Sequence, residues 1–245
     1  IDHVKNAIKS TPSLAFSQTE PVITIKNSKF MDVYGDAIHL GFTVKIENNY
    51  ITQISTGNGR PDYYSAIVTG NDAEVNGNTI ENSNGNGIHC SSCKSITNNI
   101  VHDMNGSGIK GSNSEISNNV LFNNGIAGID CYNSTVQNNF ITLNTVGILS
   151  GRDTIIQQNS VLNNHNYDLK STTQVNDNDI NATDNWFGTT NTSDIEELIY
   201  HYNDDISLIK VVFEPYALGP HYNTPLITEP IVEITQILSL LTNKA

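Results

Sequence analysis

Apolar residues in this chain alternate with polar ones over three to five positions and are then interrupted by Asn, Gly or Ser, repeatedly along its length. Alternation at a period of two predicts short half-buried strands, whereas a helix needs an apolar period near 3.6 over ten or more residues. Six segments carry the pattern in one frame: VKIENNYI (44–51), AEVNGNTI (73–80), KSITNNIV (94–101), EISNNVLF (115–122), TVQNNFIT (135–142) and IIQQNSVL (155–162). Each predicts a short strand, a corner and another short strand. The corner asparagines are Asn49, Asn78, Asn99, Asn119, Asn139 and Asn159, with Asn178 continuing the series, and their successive spacings are 29, 21, 20, 20, 20 and 19 residues. Most of the chain is therefore one supersecondary unit repeated.

A second phrase follows each corner about nine residues later: Gly87-Ile88, Gly108-Ile109, Gly128-Ile129 and Gly147-Ile148, with Ala37-Ile38, Ala66-Ile67 and Asp168-Leu169 as looser versions. The short alternating runs exclude helical solenoids, and the dense Leu-x-x-Leu-x-Leu phrase of leucine-rich repeats is missing. What remains is an all-β parallel solenoid in which each coil gives three short strands to three sheets, with about seven to nine coils. The asparagine ladder then has a structural reason. Asn tolerates the left-handed conformation of a tight corner, and coils stacked about 4.8 Å apart let each amide donate to one neighbouring coil and accept from the other.

Composition agrees with this architecture and narrows the partners. Only 15% of the 245 residues are charged, and the formal charge is −13 with 12 basic residues, of which Arg60 and Arg152 are the two arginines. With no basic stripe, nucleic acid and anionic membrane surfaces are poor partners. No run of 18 apolar residues predicts a membrane span, and no signal peptide is visible. The start at Ile1 suggests a processed protein or a fragment. Among the three cysteines, Cys90 and Cys131 share one inward slot two coils apart, with Gly111 between them, beyond disulfide reach. Cys90-Ser-Ser-Cys93 is short enough to close a local disulfide or to ligate metal, but no second pair with zinc-type spacing accompanies it. Buried or corner cysteines are the favoured reading.

The rhythm breaks at both ends, where a solenoid needs caps. Residues 1–19 read as an N-terminal cap, with a short amphipathic helix over 1–10 through Val4, Ala7 and Ile8. The coils occupy 20–180, a C-terminal capping module 181–220, and an apolar tail or linker 221–245. Within the module, NATDNWFG (181–188) holds the single Trp, and Ser193 with Glu196 resembles a capping box for a helix near 194–202, followed by a closing strand at Val211, Val212 and Phe213.

These repeats resemble the pectin-lyase-like right-handed parallel β-helix superfamily, in the NosD-like class. The segment 181–220 is similar to a closing module of secreted and surface proteins, adhesin-like proteins among them, in which Asn-Trp-Trp-Gly is common. Here Phe187 takes the second aromatic place. The resemblance covers roughly residues 20–220 and implies a single-stranded right-handed β-helix with terminal caps, in a secreted or cell-surface setting. It also implies that enzymes of the superfamily work on the outward face of the strand carrying the Gly-Ile phrase.

That outward position reads His39, Val68, His89, Lys110, Asp130, Leu149 and Lys170, coil by coil. His89, Lys110 and Asp130 are the candidate catalytic set, as general base, electrostatic partner and acid. The insertion 55–65 adds Arg60, Asp62, Tyr63 and Tyr64 beside it, so that Tyr34, Tyr63, Tyr64, Arg60 and His39 are the candidate glycan-binding residues. No acidic cluster marks a metal site, and no cofactor is expected unless the protein is a lyase using calcium to hold a uronate carboxylate.

A second outward column, Tyr50, Thr79, Ile100, Val120, Phe140 and Ser160, with Phe122 and Leu162 beside it, reads as an apolar exterior stripe. Tyr50, Ile100, Val120, Phe140 and Phe122 are the candidate interface, to be covered by a partner protein, by self-association or by the tail with its Ile231, Ile234, Ile237, Leu238, Leu240 and Leu241. The expected function is a non-catalytic extracellular or cell-surface module for adhesion, glycan binding or assembly, with a polysaccharide or surface protein as partner. A polysaccharide lyase, hydrolase or epimerase is the alternative.

Overall fold

The computed structural model describes residues 7–9, 23–54, 64–174 and 177–225. Within them the chain winds through three sheets made entirely of parallel pairs, and the central coils contribute one strand to each wall. The first sheet has nine strands, running from Ile8–Lys9 and Ile38–His39 through Asn86–Ser91, Ile109–Ser112 and Ala127–Tyr132 to Ile199–Tyr200. The second also has nine, from Ile23–Lys26 to Val211–Val212, and the third has seven, from Lys29–Val33 to Ser160–Leu162.

Register follows the repeat. In the first sheet Ile67, Ile88, Ile109, Ile129, Ile148 and Leu169 are successive partners. In the second, Ile46, Val75, Ile96, Ile116, Val136 and Ile156 stack likewise. All of these are fully buried, so the core is built of axial columns of side chains, β-branched except for Leu169, each resting on its equivalent in the next coil.

The ladder sits where the second sheet turns into the third. The Asn99 backbone N–H and Nδ2 both donate to Asn119 Oδ1, at 2.9 and 3.0 Å, while Nδ2 also reaches the Val75 carbonyl at 3.0 Å. Asn119 repeats these bonds toward Asn139 and Ile96. The left-handed residue, however, is the one before the ladder: Asn48, Gly77, Asn98, Asn118, Asn138 and Gln158 have φ between 53° and 69°. Two roles are thus split between adjacent residues, one making the bend and one satisfying the buried backbone.

Asn178 is not a rung. It is exposed and donates to Asp153 Oδ1, and Asn185 receives the bonds of Asn159 instead, at 2.9 Å each. The excursion after Ser171 lengthens this coil, so the true rung falls 26 residues on and off the 20-residue ruler. A second ladder runs five residues behind the first, where Asn124, Asn144 and Asn164 each donate twice to the next, ending on Asp168 Oδ1. Its 20-residue spacing is visible in the sequence.

Several expectations are corrected at the ends and at the cysteines. Ile8–Lys9 is a strand paired with Ile38–His39, not part of a helix over 1–10; residues 1–6 lie outside the described residues. The C-terminal helix spans Thr192–Glu197, and its N-cap is Asn191, whose side chain accepts from the Ser193 N–H, instead of Ser193 itself. The chain 181–212 does not merely cap the coils but extends them, because Ile180–Asn181, Ile199–Tyr200 and Val211–Val212 pair onto the last strands of two sheets. Cys90 and Cys93 form a disulfide: left-handed Ser92 folds the chain back so that their Cα atoms lie 5.9 Å apart, within bonding reach. Cys131 stays free and buried.

Candidate functional site

The outward face of the first sheet is built by register alone. Lys9, His39, Val68, His89, Lys110, Asp130, Leu149, Lys170 and Tyr200 are successive partners along it. The predicted trio therefore lies on three consecutive coils. Lys110 Nζ approaches Asp130 Oδ2 to 3.5 Å, and both side chains are substantially solvated, so this pair is a weak tie that a ligand charge can displace. His89 is more enclosed; partial burial, reinforced by the Lys110 charge, lowers its pKa, so its imidazole is neutral at physiological pH.

Around the trio lies an open groove of about 320 Å³, lined also by Ser91, Ser112 and Tyr132. Tyr132, 49% exposed, stands two residues after Asp130 on the same strand. Farther along, Lys170 Nζ lies 4.8 Å from the centre of the Tyr200 ring, and the Tyr167 and Tyr200 rings are 5.1 Å apart. These three tyrosines were missing from the sequence-based set. Tyr132 was legible from alternation along the strand; Tyr200 was not, because it arrives from the cap.

Other predicted residues are scattered. His39 Nδ1 is bonded to Asp36 Oδ2 at 2.8 Å, and Asp36 Oδ1 accepts the Ser65 N–H, which holds this end of the row in place. Tyr34 stands exposed at the corner between the third and first sheets, and Tyr64 immediately precedes Ser65–Gly70. Arg60, Asp62 and Tyr63 lie outside the described residues. Among the described residues no three His, Cys, Asp or Glu side chains cluster in a way that would hold a metal ion.

On the third sheet the outward column exists, but it is not an open stripe. Val120 and Phe122 are each 5% exposed and Leu162 8%, while Tyr50, Ile100 and Phe140 are half-buried. Its polar flank is a network: the Tyr50 hydroxyl donates to Glu81, and His102 meets Glu81 through Nε2 at 3.3 Å and Asp103 through Nδ1 at 2.7 Å. The His102 ring also stacks on Phe122, with centroids 4.4 Å apart. The bond from His102 holds the Asp103 carboxyl below its usual range.

No helix among the described residues is long and apolar enough to cross a membrane. No curated protein and no solved structure matches the sequence. Residues 14–164 match the family model described as the right-handed beta helix region. That match spans more than half of the chain and falls on the coils whose three-sheet winding is described above, so the protein belongs to the right-handed β-helix family.

Proposed function

We propose that the protein is a non-catalytic binding module of the cell surface or the secreted fraction, and that the outward row of its first sheet binds an acidic polysaccharide. One observation carries the reading. In a chain of charge −13, this single row gathers Lys9, Lys110 and Lys170 with His39 and His89, against Asp130 as its one acidic member. Lys9 lies four coils from Lys110, about 19 Å, and Lys110 three coils from Lys170, about 14 Å, a spread of positive charge along the axis that suits a linear polymer better than a compact ligand. Tyr132, Tyr167 and Tyr200 give flat apolar faces for sugar rings beside them. The open groove and the solvated Lys110–Asp130 pair suit reversible binding more than chemistry that needs water excluded.

The test is titration with acidic and neutral polysaccharides at low and high salt. Saturable binding of the acidic chains, weakened by salt and about tenfold by Lys110→Ala, supports the reading. Equal binding of neutral chains, or no effect of Lys110→Ala, removes it. The neutral imidazole of His89 favours a second reading, in which it takes a proton from a bound uronate. Unsaturated or reducing ends released from the same panel, and lost in His89→Ala, would establish that activity.

A further inference from the structure

The outward face of the third sheet presents Ile100, Val120, Phe122, Phe140 and Leu162 on the outside of the solenoid wall, where charged and polar side chains would ordinarily stand. Three of these five are nevertheless less than a tenth exposed. The described chain returns to one end of this face. The Trp186 carbonyl accepts from the Val161 N–H, and Gly188 lies against the Leu162 side chain. Ser160 Oγ accepts the His221 N–H at 3.1 Å and lies 3.3 Å from Thr224 Oγ1. Residues 221–224 therefore sit on the last coil of this apolar face.

We infer that the occupant of this face is the chain's own C-terminal segment, residues 226–245. From Ser160 back to Ile100 is three coils, about 14 Å at the strand spacing. Twenty residues reach roughly 66 Å extended or 30 Å as helix, so length is ample in either form. The segment LITEPIVEITQILSLLTNKA places Ile227, Ile231, Ile234, Leu238 and Leu241 at spacings of four, three, four and three, and it carries only three charged side chains, Glu229, Glu233 and Lys244. An apolar row of that kind gains from burial, and Leu162, Phe140, Val120 and Ile100 line the face that His221 and Thr224 already reach at Ser160. Docking there also covers the flank where His102 bridges Glu81 and Asp103.

The experiment uses the full chain, with a charge placed on either side of the contact: Phe140→Asp on the face and Leu238→Asp in the segment. Limited chymotrypsin digestion followed by mass spectrometry reads cleavage within 226–245, and light scattering over a concentration series reads the mass. Each substitution is expected to accelerate cleavage there by about tenfold or more, the double variant to add little to either alone, and the native chain to remain a monomer whose protection is independent of concentration. Cleavage of 226–245 unaffected by Phe140→Asp overturns the inference. So does protection that grows with concentration alongside a doubled mass, which would make a second copy the occupant.

Discussion

At the scale of single residues, the two asparagine ladders are where polar side chains most directly hold the molecule. Asn119 accepts twice from Asn99, and its own amide serves Ile96 and Asn139. Asn119→Ala leaves these buried partners unpaired and is expected to cost about 2–5 kcal/mol in denaturant unfolding, whereas Asn178→Ala, at an exposed site, should stay within about 0.5 kcal/mol. Near-equal losses would mean that the 20-residue ruler identifies rungs better than the bonding does. Asp168 closes the second ladder in an unusual way: Oδ1 accepts from Asn164, Oδ2 is buried without a partner, and burial raises its pKa to about 7. The unfolded value is about 3.9, so the fold favours the protonated form. Stability from this group is complete below about pH 4 and falls as pH rises from there to about 7, then levels. Asp168→Asn should accordingly match the native melting temperature near pH 4 and exceed it at pH 8. A lower melting temperature at both values would show that the carboxylate has a partner role that Asn cannot fill.

At the scale of the element, glycine marks strands that coil-to-coil contact has pressed together. A Cβ on Gly147 would meet the Asp168 carbonyl oxygen at 2.4 Å and Val161 Cγ1 at 2.7 Å, and one on Gly128 would meet the Gly147 carbonyl oxygen at 2.8 Å. None of the Gly-Ile glycines has a positive φ, so the requirement is space, not backbone freedom. Gly147→Ala should cost about 1–3 kcal/mol, while Gly41→Ala, with nothing within 4 Å, should be nearly neutral. Thermal unfolding of the pair checks this, and equal effects would refute the packing account. Strand positions, register and inward or outward sense were legible from alternation, because a period of two assigns every side chain to a face. The disulfide was not, since whether Cys93 turns back to Cys90 depends on the left-handed Ser92 between them. Nor was Asn185, which an insertion carried off the repeat length.

At the scale of the whole molecule, a solenoid has only nearest-neighbour contacts along its axis, so its ends decide whether it stays a single particle. The last coil is closed by the buried Phe187, while Trp186 is half-buried and bridges to Ser160. Phe187→Ala is expected to lower stability by about 3–5 kcal/mol and to promote association through the uncovered strand edge, read by unfolding and light scattering. A stable monomeric variant would show that the helix Thr192–Glu197 and the strands after it suffice as a cap. The sequence by itself determined the coil length, the three walls, the buried columns and the outward row His39, His89, Lys110, Asp130 and Lys170, because a repeated local pattern stacked on itself has one register that buries its apolar set. Only the tertiary structure decided what breaks the repeat. It joined Tyr200 to the row from a distant segment, moved the final rung to Asn185, left Asp168 at the ladder's end and turned an apparently open apolar stripe into a largely buried face. The places of Tyr200 and Asn185 depend on where non-repeating chain returns to the solenoid, and no local periodicity encodes that return.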